Sequence, residues 1–291
     1  MSTAAPKRVG ALAAWMLVMP AVIVYAAILV LPMINLVVQS FFEFQPLVGV
    51  IATWTLDNYA RFFSDSFYLN VLARTFKLAL VVALLCLLIG WPVAYQLSKT
   101  SGRWRIYFTI VVLAPLLVSV VVRTFGWVVI LGPNGLVNQV FVALGVGAQK
   151  LLFTEGAVIL GMVHVLLPFM VISIAASLDS IDPALARAAA NLGASPARTL
   201  QRVHLPLSLP GVIAGSGIVF SVSASAFVTP ALLGGSGLKY MSTLIYQQNA
   251  LVLNWPFGGA LAVILLVIIL AAVALNTWLV ERRHFRGVFQ Q

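Results

Sequence analysis

Six long runs of apolar residues alternate with shorter polar connections along this 291-residue chain. A membrane-spanning helix needs about 20 mainly apolar residues, and each run is long enough. The predicted spans cover residues 10–40, 76–97, 106–131, 157–178, 211–233 and 257–280. The pattern predicts an all-α membrane protein with six transmembrane helices.

The connections carry their own signals. Pro20 and Pro32 are expected to kink the first span. Residues 42–70 are polar, and the turn residues 132–135 precede helically spaced apolar positions that predict a short interfacial helix. Residues 234–255 are mixed, with one possible apolar helical face.

The longest polar interruption in the second half of the chain is residues 182–206. Asp182 can cap a helix whose first turn holds Pro183, and Gly193 can end that helix. Ser195-Pro196 starts a second helix, which Pro206 and Pro210 are expected to stop. The sequence predicts two short helices joined at a hinge and held outside the bilayer.

The spacing within this segment resembles the EAA loop of ABC importer permeases. That family has Glu-Ala-Ala, three residues, Gly, nine residues, Ile, one residue and Leu-Pro. Every spacing is present here, although Arg187 replaces the leading acid and Val203 the isoleucine. The residues that the resemblance assigns to coupling are Arg187, Ala188, Ala189, Gly193, Ala194, Ser195, Pro196, Arg198, Val203, Leu205 and Pro206.

The resemblance implies a type I importer permease fold and a set of partners. In the family this loop forms the coupling helix, which sits in a groove of a separate ATPase subunit. ATP and Mg would bind to that partner, and no cofactor to this chain. A second permease subunit and a periplasmic solute-binding protein would complete the importer, and the arginine at position 187 favours a second permease that is a different chain and keeps the glutamate. The substitution at Arg187 leaves open whether this subunit makes the contact that family members make with glutamate.

Four further segments resemble the spermidine/putrescine branch of these permeases: residues 55–59, 90–95, 123–126 and 254–257. The resemblance therefore favours polyamine import, with import of another small organic solute, such as an amino-acid derivative or opine, as the alternative. A polyamine route would favour acids and aromatic faces, and this chain offers aromatics but almost no buried acid.

Composition agrees with a membrane protein. The chain is 62% hydrophobic and 8% charged, with a mean hydropathy of +1.07, whereas a soluble domain has about 25% charged residues. Its net charge of +10 lies mostly in short connections, as the positive-inside rule requires, so we do not expect nucleic acid binding. Cys86, the single cysteine, lies in an apolar run and excludes an intrachain disulfide.

The basic residues also predict orientation. One side of the membrane holds only Arg61, Lys150 and Lys239 clearly. The other, predicted to be cytoplasmic with both termini, holds Lys7, Arg8, Lys99, Arg103, Arg105, Arg187, Arg198, Arg202, Arg282, Arg283 and Arg286. The first apolar run is much longer than a signal-peptide core, so we expect an uncleaved span in a bacterial inner membrane.

Catalytic chemistry is not expected in this chain. It has no phosphate-binding motif of P-loop type, and its three histidines and seven acids are too scattered for a metal or hydrolytic site. An ion-coupled secondary transporter usually carries acids within its spans, whereas these acids lie in connections or at span ends. Both a membrane enzyme and a transporter working alone are therefore less favoured.

Five residues are candidates for the translocation pathway: Arg123, Ser221, Ser225, Phe227 and Thr229. Arg123 could line the solute path, meet the binding protein or snorkel to the interface. The serines share a helical face ahead of a break expected at Pro230, which suits a water-filled cavity or tight packing equally.

Three other polar residues lie in or near the spans. His164 is expected to form a hydrogen bond to a neighbouring helix, and Arg74 and Lys77 to snorkel.

Three regions follow from these assignments. Residues 1–71 hold the first helix and an external segment, residues 72–282 the five-helix core with the coupling loop at 182–206, and residues 283–291 a cytoplasmic tail.

Overall fold

A computed structural model describes residues 11–284 of the chain, with most of that length in helices. The predicted cytoplasmic residues Lys7, Arg8 and Arg286, and most of the predicted tail, lie outside the described residues. In chain order the helices are α1 (Ala11–Tyr25), α2 (Leu31–Gln39), α3 (Asp57–Ser64), α4 (Ser66–Lys99), α5 (Gly102–Leu117), α6 (Val120–Leu131), α7 (Leu136–Ala143), α8 (Glu155–Asp179), α9 (Pro183–Asn191), α10 (Pro196–Thr199), α11 (Leu205–Leu207), α12 (Leu209–Ser225), α13 (Val228–Gly234), α14 (Met241–Tyr246) and α15 (Trp255–His284).

Shorter elements join these helices. Antiparallel strands β1 (Phe42–Gln45) and β2 (Gly49–Trp54) form a hairpin in the predicted polar segment. The π-helical turns are Ala26–Val30, Leu200–His204 and Gln247–Leu251.

Six apolar spans are confirmed when one bent helix pair is counted as a single span. The five unbent runs are Val18–Gln39, Ser66–Lys99, Val120–Ala143, Glu155–Asp179 and Trp255–Trp278. The sixth combines Pro196–Leu207 with Leu209–Ser225, which meet at an angle of 58°. The second span starts ten residues earlier than predicted, so the proposed boundary at residue 72 falls within α4.

The third predicted span is not one helix. α5 ends at Leu117, Val118 and Ser119 are extended, and α6 begins at Val120. Pro115 in the last turn of α5 lacks an N–H, and the β-branched valines that follow have low helix propensity. The apolar run long enough to span by itself, Val120–Ala143, combines α6 with the short α7.

The fifth predicted span is also broken, at a different place than expected. Ala226 is extended with ψ 134°, four residues before Pro230. Pro230 instead lies in the first turn of α13, where its missing N–H costs little. The second short helix ends at Leu207, between Pro206 and Pro210 as predicted, and the chain bends by 58° there before α12 begins at Leu209.

The largest core cluster lies where α4, α8 and α12 pack together. Buried members include Cys86 on α4 and Met162 and Met170 on α8, so Cys86 serves packing. Gly211 and Gly215 of α12 face α8: a Cβ on Gly211 would lie 2.9 Å from the Cα of Ile174, and one on Gly215 would lie 2.9 Å from the Sδ of Met170. Tight packing is therefore the role of this glycine pair.

A second cluster surrounds the segment after the first span. Phe62 of α3, Tyr68 of α4 and Phe257 of α15 are buried against one another, and the Arg61 guanidinium lies 4.6 Å from the Phe257 ring centroid. The segment predicted to be external is thus attached to the first turns of α4 and α15.

The close approach of α12 to α8 predicts that Gly211→Ala destabilises the protein. The added Cβ would lie 2.6 Å from the Cβ of Ser177, closer than packing allows. Overpacking of this kind costs about 1–3 kcal/mol, so thermal unfolding in detergent should occur at a lower temperature. Gly217→Ala on the same helix is the control, because a Cβ there meets nothing within 4 Å. Equal melting temperatures for the two variants would contradict this account.

Candidate functional site

The segment between α8 and α12 begins as the sequence predicts. The Asp182 side chain accepts a hydrogen bond from the Ala184 N–H at 2.7 Å, and Pro183 occupies the first turn of α9. The backbone N–H groups of Gly193 and Ala194 donate to the carbonyls of Ala190 and Ala189, which ends the helix.

Gly193 is the hinge of the segment. Its φ of +79° is in the left-handed region, which costs other residues roughly 1–2 kcal/mol. Directly after it, Ser195 accepts a hydrogen bond from the Arg198 N–H at 3.4 Å, so the cap of the second short helix is confirmed. The chain turns here because glycine and two capping side chains stabilise both helix ends.

The hinge presents an apolar and cationic surface. Leu192, beside Gly193, is 89% exposed, and Arg187, Arg198 and Arg202 are exposed too. Within the part of the chain that the structure describes, none of these arginines forms an ion pair. An exposed leucine among unpaired cations fits a protein surface with an apolar groove and acidic residues around it.

The second half of the segment is fixed to the end of α4. The Trp91 indole N–H donates to the Ser208 hydroxyl at 3.0 Å, and the Trp91 and Tyr95 rings stack with centroids 5.5 Å apart. The His204 ring meets Tyr95 edge-on at 5.4 Å, and its Nε2 lies 3.5 Å from the Lys99 ammonium. Sequence reasoning missed this aromatic cluster because its two halves are more than 100 residues apart.

Two further contacts hold this region together. The Ser177 hydroxyl of α8 donates to the Leu207 carbonyl at 3.3 Å. Arg105, at the start of α5, forms an ion pair with Asp179 in the last turn of α8. The segment is therefore attached to α4 and α8, and α8 in turn to α5.

A polar cluster lies between α6, α8 and α13. Arg123 is 9% exposed and its Nη1 donates to the Pro115 carbonyl across the break between α5 and α6, so the snorkelling alternative is wrong. The Thr124 and Thr229 hydroxyls are 3.5 Å apart. The Trp127 indole N–H donates to His164 Nδ1 at 3.1 Å, which confirms the predicted hydrogen bond of His164 to a neighbouring helix.

The other pathway candidates are separate from that cluster. The Ser225 hydroxyl donates to the Ser221 carbonyl of its own helix at 2.9 Å, and the Phe227 ring packs against Tyr246 with centroids 4.6 Å apart. Lys77 was expected to snorkel, but it pairs with Glu155 at 2.9 Å and joins α4 to α8. Among residues 11–284 there is no group of three potential ligands that could hold a metal ion.

Comparison with known proteins places these features in context. The family described as binding-protein-dependent transport system inner membrane component matches residues 86–284. The spermidine/putrescine transport system permease protein PotB of Escherichia coli (strain K12) is 33% identical over 254 residues, which are 87% of this chain and 92% of that protein. The inner membrane ABC transporter permease protein YdcU of the same strain is 28% identical over 252 residues, 81% of this chain and 80% of that protein.

A solved structure shares the fold. In a bacterial ABC transporter involved in the import of the acidic polysaccharide alginate, one chain superposes with a TM-score of 0.75 at 22% identity. The match covers 92% of this chain and 95% of that chain. The two chains therefore share one fold.

The His204 contacts predict a pH dependence of stability. Burial, and then the nearby charge of Lys99, lower the pKa of His204, so the folded state favours the neutral ring. The unfolded chain then binds more protons, and stability is lost as pH falls below the ordinary value of about 6.5 towards the folded pKa. Melting temperatures between pH 8 and 5 should fall more steeply for the native protein than for His204→Gln. Parallel curves would contradict this assignment.

Proposed function

The chain belongs to the family of binding-protein-dependent transport system inner membrane components, and we propose that it is the permease subunit of an ATP-driven importer of polyamines. It is a multi-pass membrane protein, and in this proposal both termini and the hinge face the cytoplasm. The observation that carries the proposal is the hinge around Gly193, which presents an exposed surface on a base anchored to α4 and α8.

The partner of this surface is an ATPase subunit that binds ATP and Mg and catalyses hydrolysis. Closure of the ATPase dimer would push α9, and the contacts of Trp91, Ser177 and Ser208 would carry the displacement into α4 and α8. Such a movement shifts the population of inward- and outward-facing states and performs no chemistry on the solute. The chain is therefore not an enzyme by itself.

A second permease subunit and a periplasmic solute-binding protein complete the assembly. The structure of the related alginate transporter was determined with its pentasaccharide-bound periplasmic protein, which supports the same arrangement here. Because Arg187 replaces the family glutamate, we propose that the second permease is a different chain that keeps the acid. Polyamine as the solute is supported by the 33% identity to PotB.

The first test measures ATP hydrolysis by the reconstituted complex with binding protein that is empty or loaded with spermidine or putrescine. We expect stimulation by the loaded protein. If hydrolysis is stimulated only by binding protein loaded with another solute, the proposed importer role stands but polyamine is rejected as its solute. Failure of an ATPase to associate with this chain would reject the coupling role.

Substitution of the hinge should uncouple the complex. In Gly193→Val a β-branched residue would be forced to a φ of +79°, so we expect solute-stimulated hydrolysis to fall by about tenfold or more. Gly145→Val is a matched control, since Gly145 has a φ of +78° and equally open surroundings but lies between α7 and α8. Equal losses in the two variants would show general destabilisation instead of uncoupling.

Reversal of charge at Arg187 tests the acidic partner surface. Arg187→Glu should weaken association with the ATPase about 3- to 30-fold at low salt, since like charges across an interface repel, and the difference should shrink as salt is raised. Arg103→Glu, at the start of α5, is the control. Unchanged association and coupling in Arg187→Glu would leave no special role for this arginine.

A further inference from the structure

Two predicted spans are interrupted after helices of similar length. α5 has 16 residues and α12 has 17, so each rises about 24–26 Å from its own start before the chain becomes extended. The Thr124 and Thr229 hydroxyls, 3.5 Å apart, show that the helices following the two breaks lie side by side. A pair of interrupted helices is an arrangement that membrane transporters use to bind polar groups.

The start of α6 is rich in donors. Its first backbone N–H groups have no partner within the helix, and Ser119 forms no side-chain cap. The helix dipole adds positive potential at this end. These donors alone would not define a site.

Arg123 supplies the second observation. Its side chain is more than nine-tenths buried, and its guanidinium lies at the break, where Nη1 bonds the Pro115 carbonyl. Nε is buried and has no hydrogen-bond partner in the structure. A buried cation with an unpaired donor is costly, and it is retained where a counter-charge arrives from outside the chain.

The surroundings add another donor and no acid. His164 lies within electrostatic reach of Arg123, and its Nδ1 accepts from Trp127, so in the neutral ring the proton is on Nε2. All seven acidic residues of the sequence fall in connections, in β1 or in the first or last turn of a helix. The described residues thus provide hydrogen-bond donors around the break, but they provide no carboxylate there to accept those hydrogen bonds.

We propose that the break between α5 and α6 binds a carboxylate, held by Arg123 and the first N–H groups of α6. The inference rests on the proposed importer function, and it identifies the chemical group that this break would bind within the membrane. Two sources supply this chemistry: a solute that carries a carboxylate as well as an amine, or an acidic side chain of the second permease. A diamine has no such oxygen, so in a polyamine importer the carboxylate belongs to the second permease.

The test uses the full complex with its second permease and ATPase, in native form and as Arg123→Gln and Arg123→Lys. Glutamine keeps an N–H for the Pro115 carbonyl but removes the charge, and lysine keeps the charge, so one variant remains informative if the other fails to fold. Arg74→Gln is the control, because Arg74 is a half-buried cation on α4, away from the break.

Two readouts distinguish the sources. Thermal unfolding is followed with 4-aminobutyrate or putrescine, which differ by a carboxylate in place of an aminomethyl group. If the carboxylate comes from the solute, 4-aminobutyrate raises the melting temperature of the native complex, and Arg123→Gln weakens its apparent affinity about 10- to 100-fold. If it comes from the second permease, neither compound acts through Arg123, and Arg123→Gln weakens association of the two permeases by about tenfold or more.

The proposal is overturned if Arg123→Gln changes neither readout, or if Arg74→Gln changes them equally. Arg123 would then serve only to bond the Pro115 carbonyl. Co-purification of the ATPase with the native complex is measured in parallel. Loss of that association rejects the proposed function, whereas intact association with unchanged readouts rejects only the carboxylate site.

Discussion

A lipid bilayer offers no hydrogen-bond partners, so a span can be interrupted only where the protein itself satisfies the freed backbone groups. The two breaks in this chain meet that requirement with side chains from elsewhere. Arg123 reaches back to the Pro115 carbonyl at the end of α5, and the Ser242 hydroxyl donates to the Ala226 carbonyl at the end of α12 at 2.6 Å. These bonds satisfy a freed carbonyl at each interruption, and the helices that follow the two interruptions lie side by side.

The same constraint explains the contrast between the broken helices and the core that carries them. α4 and α8 are continuous over 34 and 25 residues, and α12 approaches α8 closely through Gly211 and Gly215. Close backbone contact makes a rigid unit, because any added volume meets main-chain atoms. The hinge segment is attached to this unit by the hydrogen bond between Trp91 and Ser208, so packed helices connect the hinge to the rest of the core.

Charge is distributed in agreement with these roles. Two acidic side chains among the described residues form ion pairs across helix ends, in Lys77–Glu155 and Arg105–Asp179, and these pairs connect α8 to its neighbours. Arg187, Arg198 and Arg202 at the hinge, and Arg123 at the α5–α6 break, form no ion pair within the described residues. Both places are surfaces at which the proposed assembly meets another molecule.

Sequence signals that act within a few residues of one another determined several elements of the fold. Asp182, Gly193 and Ser195 predict the two capped helices and their hinge because caps and left-handed glycines act within a few residues. Apolar run lengths predict the number of spans for the same reason. Only the tertiary structure decided where the fifth predicted span breaks, since the Ala226 carbonyl at that interruption accepts a hydrogen bond from Ser242 of α14. It also decided that Arg123 is buried and that Tyr95 meets His204, because such contacts join residues whose separation along the chain carries no periodic signal.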